Sequence, residues 1–343
     1  MNLNCYDPRA PRFARLGRYN ADEPVCRLFW SGSGIAMTLR CRCLEVEAEV
    51  TESDHTPWLA VMIDGEPAAR FPLMPGRHRY AALEGMDASV EHEVAVLRDT
   101  QPHDSELAPL RLIAVYTDGE PAPAPEKPRL IEFIGDSLTV GEGLVGAKQE
   151  DEWRMVWISN LFAFPTLVAR EMDAEKRVVA LGGWGCWSGW DGDRGANMGR
   201  IYRQLCGVVP GGEVPYDFAA QRKADAIVIN LGTNDSSAVS KEPEANQPAA
   251  RQAVTEGAAR LMEIVRETAP EAAILWAYGL CGTQLMEPLE TAVALRRKAG
   301  DRNVHFLRLT DCDGDVGSRN HPSREAQARA AREISAKLRE LID

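Results

Sequence analysis

The chain has 343 residues, with 51 Asp and Glu against 39 Lys and Arg, a formal net charge of −12 and 45% hydrophobic residues. This length suggests two domains, and the apolar share gives a sizeable core where a disordered chain would have none. The acidic balance disfavours nucleic acid or an anionic membrane as partner, because polyanions are held by clustered Lys and Arg. No apolar run approaches the ~18 residues of a membrane span. Residues 1–15 are broken by arginines and prolines where a secretory signal would be apolar. The sequence as given is therefore expected to be soluble and cytoplasmic, or secreted if a signal was trimmed from it.

Eight cysteines are too sparse for a disulfide scaffold. Cys41 and Cys43 share a strand face, but no second close pair and no His at ligand spacing accompany them. No metal and no cofactor are expected.

In chain order, Leu44, Val46, Ala48 and Val50 alternate with Glu45, Glu47 and Glu49, the period of a half-buried antiparallel strand. Residues 58–63 give a second strand, and Asp64-Gly65 supplies a tight hairpin turn. Residues 92–97 and 110–116 continue the pattern, so residues 1–120 read as an all-β sandwich. Residues 121–128, Pro-Ala-Pro-Ala-Pro-Glu-Lys-Pro, read as an extended linker. From 129 to 343 the rhythm changes. Apolar strands at 130–134, 177–181, 226–231, 272–277 and 304–309 alternate with helical patterns at 249–268, 288–298 and 323–342. That alternation predicts a parallel sheet covered by helices, with ligands at the carboxyl ends of its strands.

Chemistry-bearing residues fall at those ends. The first strand of this half runs into Gly135-Asp136-Ser137-Leu138, the second into Gly182-Gly183-Trp184-Gly185, and the third into Gly232-Thr233-Asn234-Asp235. Asn320-His321-Pro322 precedes the last helix. The set suits acyl transfer, with Ser137 as nucleophile and His321 as its base. The Ser137 N–H, a glycine N–H (Gly183, with Gly185 as runner-up) and the Asn234 amide are candidate oxyanion donors. Asp136 and Asp235 read as loop-fixing residues. Trp184, Trp187 and Trp190 crowd one loop, where they either stack on a sugar or pack the loop itself. A dinucleotide site is disfavoured because Ser188 stands where its third glycine would be.

These four blocks, over residues 129–343, resemble the SGNH, or GDSL, hydrolases. The front half, with its 92–100 segment and proline linker leading into Ile131 to Ser137, looks like carbohydrate esterase family 2. The resemblance implies a jelly-roll-like N-terminal sandwich joined to a flavodoxin-like SGNH domain. It further implies removal of acetyl groups from xylan-type or other oligosaccharides, without metal or cofactor. The partner it implies is an acetylated carbohydrate. Alternatives are a short-chain lipase or thioesterase of the same fold, or a carbohydrate-binding protein without turnover. One position departs from the wider fold family: Ser318 stands three residues before His321, where an Asp usually orients the imidazole. The favoured expectation is a Ser–His dyad whose ring is held by a backbone carbonyl of residues 316–319. Asp311, Asp313 or Asp315 would be the alternatives.

Overall fold

The computed structural model describes residues 3–343 and divides into two compact units. The first contains β1 (Asn4–Tyr6), β2 (Ala14–Leu16), β3 (Cys26–Leu28), β4 (Gly34–Leu39), β5 (Cys43–Val50), β6 (Trp58–Ile63), β7 (Glu66–Pro72), β8 (Gly76–Glu84), β9 (His92–Arg98), β10 (Leu110–Thr117) and β11 (Ala122–Pro123). One sheet runs β1-β10-β5-β8 with β3 also on β10, and the other β11-β4-β9-β6-β7 with β2 also on β4. Their inner faces share one core, in which Leu44, Val46 and Leu112 of the first sheet meet Ile35, Val61 and Val96 of the second. On the outer face of β5, Glu47 pairs with Arg77 at 2.5 Å and Glu49 with Arg111 at 2.7 Å. Such exposed cross-strand pairs fix register more than they stabilise. Asp64 (φ +52°) and Gly65 (φ +81°) make the β6–β7 turn in the left-handed conformation a two-residue hairpin requires.

The proline-rich stretch is not wholly a free tether. Ala122 and Pro123 pair with Thr38 and Met37 at a sheet edge, where a residue without an N–H is tolerated. The first unit extends to Lys127 and also takes in residues 154–156 and 204–216. Trp30 Nε1 donates to the Leu205 carbonyl at 2.7 Å, Arg18 to that of Gln204 at 3.0 Å, and Arg70 to that of Val156 at 3.1 Å.

The second unit is built on β12 (Arg129–Gly135), β13 (Ala174–Ala180), β14 (Ala226–Asn230), β15 (Ala273–Tyr278) and β16 (Val304–Arg308), all parallel, in the order β13-β12-β14-β15-β16. Counted within the unit this is 2-1-3-4-5, the flavodoxin-like order. Its helices are α1 (Ser137–Val140), α2 (Phe164–Glu171), α3 (Met198–Ile201), α4 (Thr233–Lys241), α5 (Gln247–Thr268), α6 (Met286–Lys298) and α7 (Arg324–Ile342). Every residue of β14 and β15 is buried, which is why these strands read as unbroken apolar runs. The strand order reverses between β12 and β14. Their carboxyl ends therefore flank the crevice where ligands bind in such sheets.

Candidate active site

β12 ends at Gly135 and turns directly into α1. A side chain there is impossible: a Cβ would stand 1.9 Å from Thr139 Oγ1. Asp136 caps α1, its Oδ1 accepting the Leu138 N–H at 3.0 Å. Burial pushes the Asp136 carboxyl up to about 8; the Leu138 N–H pulls it down, while Asp235 and Glu142 add to the rise. Ser137 follows as the first residue of the helix, so its N–H has no acceptor within α1. The turn closes at Gly141 (φ +85°), where the N–H groups of Gly141 and Glu142 both donate to the Ser137 carbonyl, at 3.1 and 2.9 Å.

His321 reaches Ser137 from the segment before α7, with Nε2 2.9 Å from Oγ. Its Nδ1 lies 3.1 Å from the Arg319 carbonyl oxygen. A carbonyl only accepts, so Nδ1 carries the proton and Nε2 is left to accept from the serine hydroxyl. Arg319 and Asn320 both have φ +55°. This pair of left-handed residues turns the chain so that a main-chain oxygen, and no carboxylate, meets Nδ1.

The candidate aspartates point elsewhere. Asp311 accepts from the Gly282 and Asp313 N–H groups at 2.8 and 2.9 Å, and Asp313 is exposed. Asp315 accepts from Ser323 Oγ at 2.5 Å, with Arg329 3.8 Å away. Ser318 is fully buried beside Gly146, where a Cβ would stand 2.5 Å from its Oγ.

Asn234 lies in the first turn of α4, 8% exposed. Its Nδ2 donates to the Trp184 carbonyl at 2.8 Å and to Asp136 Oδ2 at 3.3 Å. Of the two candidate glycines, Gly185 donates its N–H to the Ala196 carbonyl at 3.2 Å, whereas the Gly183 N–H has no acceptor among the described residues. Gly183 is in the left-handed region at φ +82°.

Asp235 does not fix its own loop. It is fully buried and takes three backbone N–H groups of the neighbouring glycine loop: Cys186 at 3.0 Å, Trp187 at 2.8 Å and Ser188 at 3.0 Å. Burial raises its pKa, and those three donors oppose the rise. Gly185 is needed for this approach, since a Cβ would come within 2.5 Å of the Asp235 carboxylate.

The three tryptophans part company. Trp190 is 54% exposed, with its ring beside Gly183 and Lys241 Nζ 4.2 Å from the ring centroid. Trp187 is half-buried under the Arg194 guanidinium, 3.3 Å from its centroid. Trp184 is half-buried and offers its carbonyl to Asn234.

Glu142 escaped notice in the sequence. It is 4% exposed, forms an ion pair with Arg319, and places Oε1 3.8 Å from His321 Nε2. The only hint was its position between Gly141 and Gly143, a spacing that marks a tight turn. Among the described residues, no group of three or more His, Cys, Asp or Glu could hold a metal ion, and no helix is long and apolar enough to cross a membrane.

A serine hydroxyl on an imidazole, at the strand ends of a parallel sheet of this order, defines the class: a serine hydrolase. The chain belongs to the GDSL-like lipase/acylhydrolase family, whose model matches residues 131–334. Residues 15–125 match the carbohydrate esterase 2 N-terminal model. The chain is similar to the acetylxylan esterase / glucomannan deacetylase of Cellvibrio japonicus, 24% identical over 97% of this chain and 90% of that one. It is also 25% identical to the cellulase/esterase CelE of Acetivibrio thermocellus, over 97% of this chain but 40% of CelE. Among solved structures, the acetyl xylan esterase Est2A from the rumen bacterium Butyrivibrio proteoclasticus superimposes with a TM-score of 0.94. That match is at 26% identity and covers 99% of this chain and 98% of that one.

Proposed function

We propose that the protein is a carbohydrate O-acetylesterase that works through an acyl-enzyme on Ser137. The observation that carries this reading is the 2.9 Å approach of His321 Nε2 to Ser137 Oγ, with Nδ1 committed to a carbonyl. Ser137 Oγ attacks the acetyl carbonyl as its proton passes to Nε2. The alcohol of the sugar leaves with that proton, and water then enters by the same base to release acetate. The oxyanion that forms at each step is met by the N–H groups of Ser137 and Gly183. The third donor is Asn234, which gives up its longer bond to Asp136 for it. Residues 129–343 carry this chemistry, with residues 1–120 as the sandwich domain and residues 121–128 as the join between them. Trp190 offers the exposed ring of the glycine loop to a sugar. The two acetylxylan-esterase relatives support carbohydrate as the alcohol side.

The test is hydrolysis of 4-nitrophenyl esters of increasing acyl length, followed by acetylated xylo- and manno-oligosaccharides. Acetyl esters are expected to be cleaved fastest and octanoyl esters poorly. Faster turnover of long chains would reassign the protein to a lipase or thioesterase, and no turnover of any ester to a binding protein.

Asn234→Ala is expected to lower kcat by about 10²–10³-fold, the usual effect of losing one oxyanion donor, with KM nearly unchanged. The reason is that the charge the amide binds exists only in the transition state. Steady-state kinetics on an acetyl ester decides it; a change in KM alone would make Asn234 a residue that only positions substrate.

A further inference from the structure

We propose that Glu142 and Arg319 are a pair of positioning residues for His321, joining the nucleophile turn to the histidine segment. The proposal rests on the reading of Ser137 and His321 as the catalytic pair. Four observations carry it.

First, Glu142 is built into the same turn as the nucleophile, its N–H donating to the Ser137 carbonyl at 2.9 Å. Its carboxylate is 4% exposed, a position in which an acidic group needs a partner. Secondly, the partner is the Arg319 guanidinium, whose own main-chain oxygen is the one facing His321 Nδ1 at 3.1 Å. One residue therefore anchors with its side chain and orients with its backbone. Thirdly, Arg319 and Asn320 are non-glycine residues held at φ +55°. That conformation is disfavoured for a residue with a Cβ, Arg319 above all, and persists only where surroundings enforce it. The enforcing contacts here are the Glu142 pair, the Arg319 N–H on the Glu150 carbonyl at 2.8 Å, and the Ser318 N–H on the Gly143 carbonyl at 3.2 Å. Fourthly, the glycine after Glu142 lets the two segments touch: a Cβ on Gly143 (φ +83°) would stand 2.9 Å from the His321 Cβ and 2.6 Å from the Ser318 carbonyl oxygen.

The pair also sets the field at the base. The charged groups around His321 are Glu142 from the nucleophile turn and Arg319 from its own segment, while Asp315 is turned to Ser323 and Arg329. Glu142 Oε1, 3.8 Å from Nε2, favours the imidazolium that forms when Ser137 gives up its proton, and Arg319 moderates that attraction.

The experiment compares Glu142→Gln, Arg319→Ala and Arg319→Lys in the full chain, on an acetyl ester, with folding checked by circular dichroism and melting. Glu142→Gln and Arg319→Ala are expected to lose about ten-fold or more in kcat, by analogy with the 10–100-fold losses typical of groups that orient a metal's ligands, with KM little changed. Arg319→Lys, which keeps the charge facing Glu142, should recover most of the wild-type rate. Folded variants with the wild-type kcat, or a loss in Arg319→Ala that Arg319→Lys does not recover, would overturn the proposal. Should one variant fail to fold, the kcat of the other decides, read beside its KM. Covalent labelling by an organophosphate separates the two levels. Wild-type enzyme that is active yet unlabelled at Ser137 rejects the catalytic reading itself, whereas labelled enzyme with indifferent Glu142 and Arg319 variants rejects only this inference.

Discussion

Replacing Ser137 by alanine is expected to abolish ester hydrolysis while leaving the fold and its melting temperature nearly unchanged. Ser137 is 6% exposed and its hydroxyl meets one side chain, His321. Its loss removes one hydrogen bond, worth about 0.5–1.5 kcal/mol, and leaves the α1 backbone untouched. Asp136 still caps the helix and Gly141 still closes it. For catalysis the loss is of another order, because removing the nucleophile of a serine hydrolase costs ~10⁶ in kcat. The measurement is hydrolysis of an acetyl ester by a preparation free of host esterases, alongside a thermal melt. More than a few percent of wild-type activity in a folded variant would place the nucleophile elsewhere.

What could be read from the sequence followed from how each feature is encoded. β5 was legible because one buried face and one charged face impose a period of two over Leu44 to Val50. The parallel sheet was legible because strands buried on both sides must be apolar throughout, as Ala226–Asn230 and Ala273–Tyr278 are. The nucleophile turn, glycine loop and Asn234 turn stood out because polar and glycine residues directly follow those runs. Short or polar elements gave no comparable signal: β7 and most of β8 lie at the surface, and α4 carries the polar run Thr233–Lys241. The packing of residues 204–216 into the first unit rests on side chains reaching main-chain carbonyls, such as Trp30 on Leu205. Such contacts leave no periodic trace. Asp235 illustrates the same limit within the site. Its position beside Asn234 suggested a residue that fixes its own loop, yet its carboxylate gathers the N–H groups of residues 186–188, almost fifty positions away. The Glu142–Arg319 pair spans 177 positions and is invisible until the chain is folded.

His321→Ala should be severe, on the order of 10³-fold or more in kcat by analogy with deletions in triad enzymes, while Asp311→Ala, Asp313→Ala and Asp315→Ala should each cost less than about tenfold, or ~1.4 kcal/mol of barrier. The contrast follows from geometry. In a triad the aspartate fixes the imidazole tautomer and stabilises its cation, and losing it costs about 10⁴ in kcat. Here the Arg319 carbonyl occupies the Nδ1 side of the ring at 3.1 Å. Asp311 serves the Gly282 N–H, Asp313 faces solvent, and Asp315 holds Ser323. Ser323 caps α7 through the Ala326 N–H at 3.2 Å, so Asp315→Ala should lower the melting temperature through that cap while sparing turnover. Rates and melting curves for the four variants separate stability from catalysis. A folded Asp315→Ala enzyme slowed a hundredfold or more would mean that its carboxylate swings to His321 during turnover, and would replace the dyad with a rearranged triad.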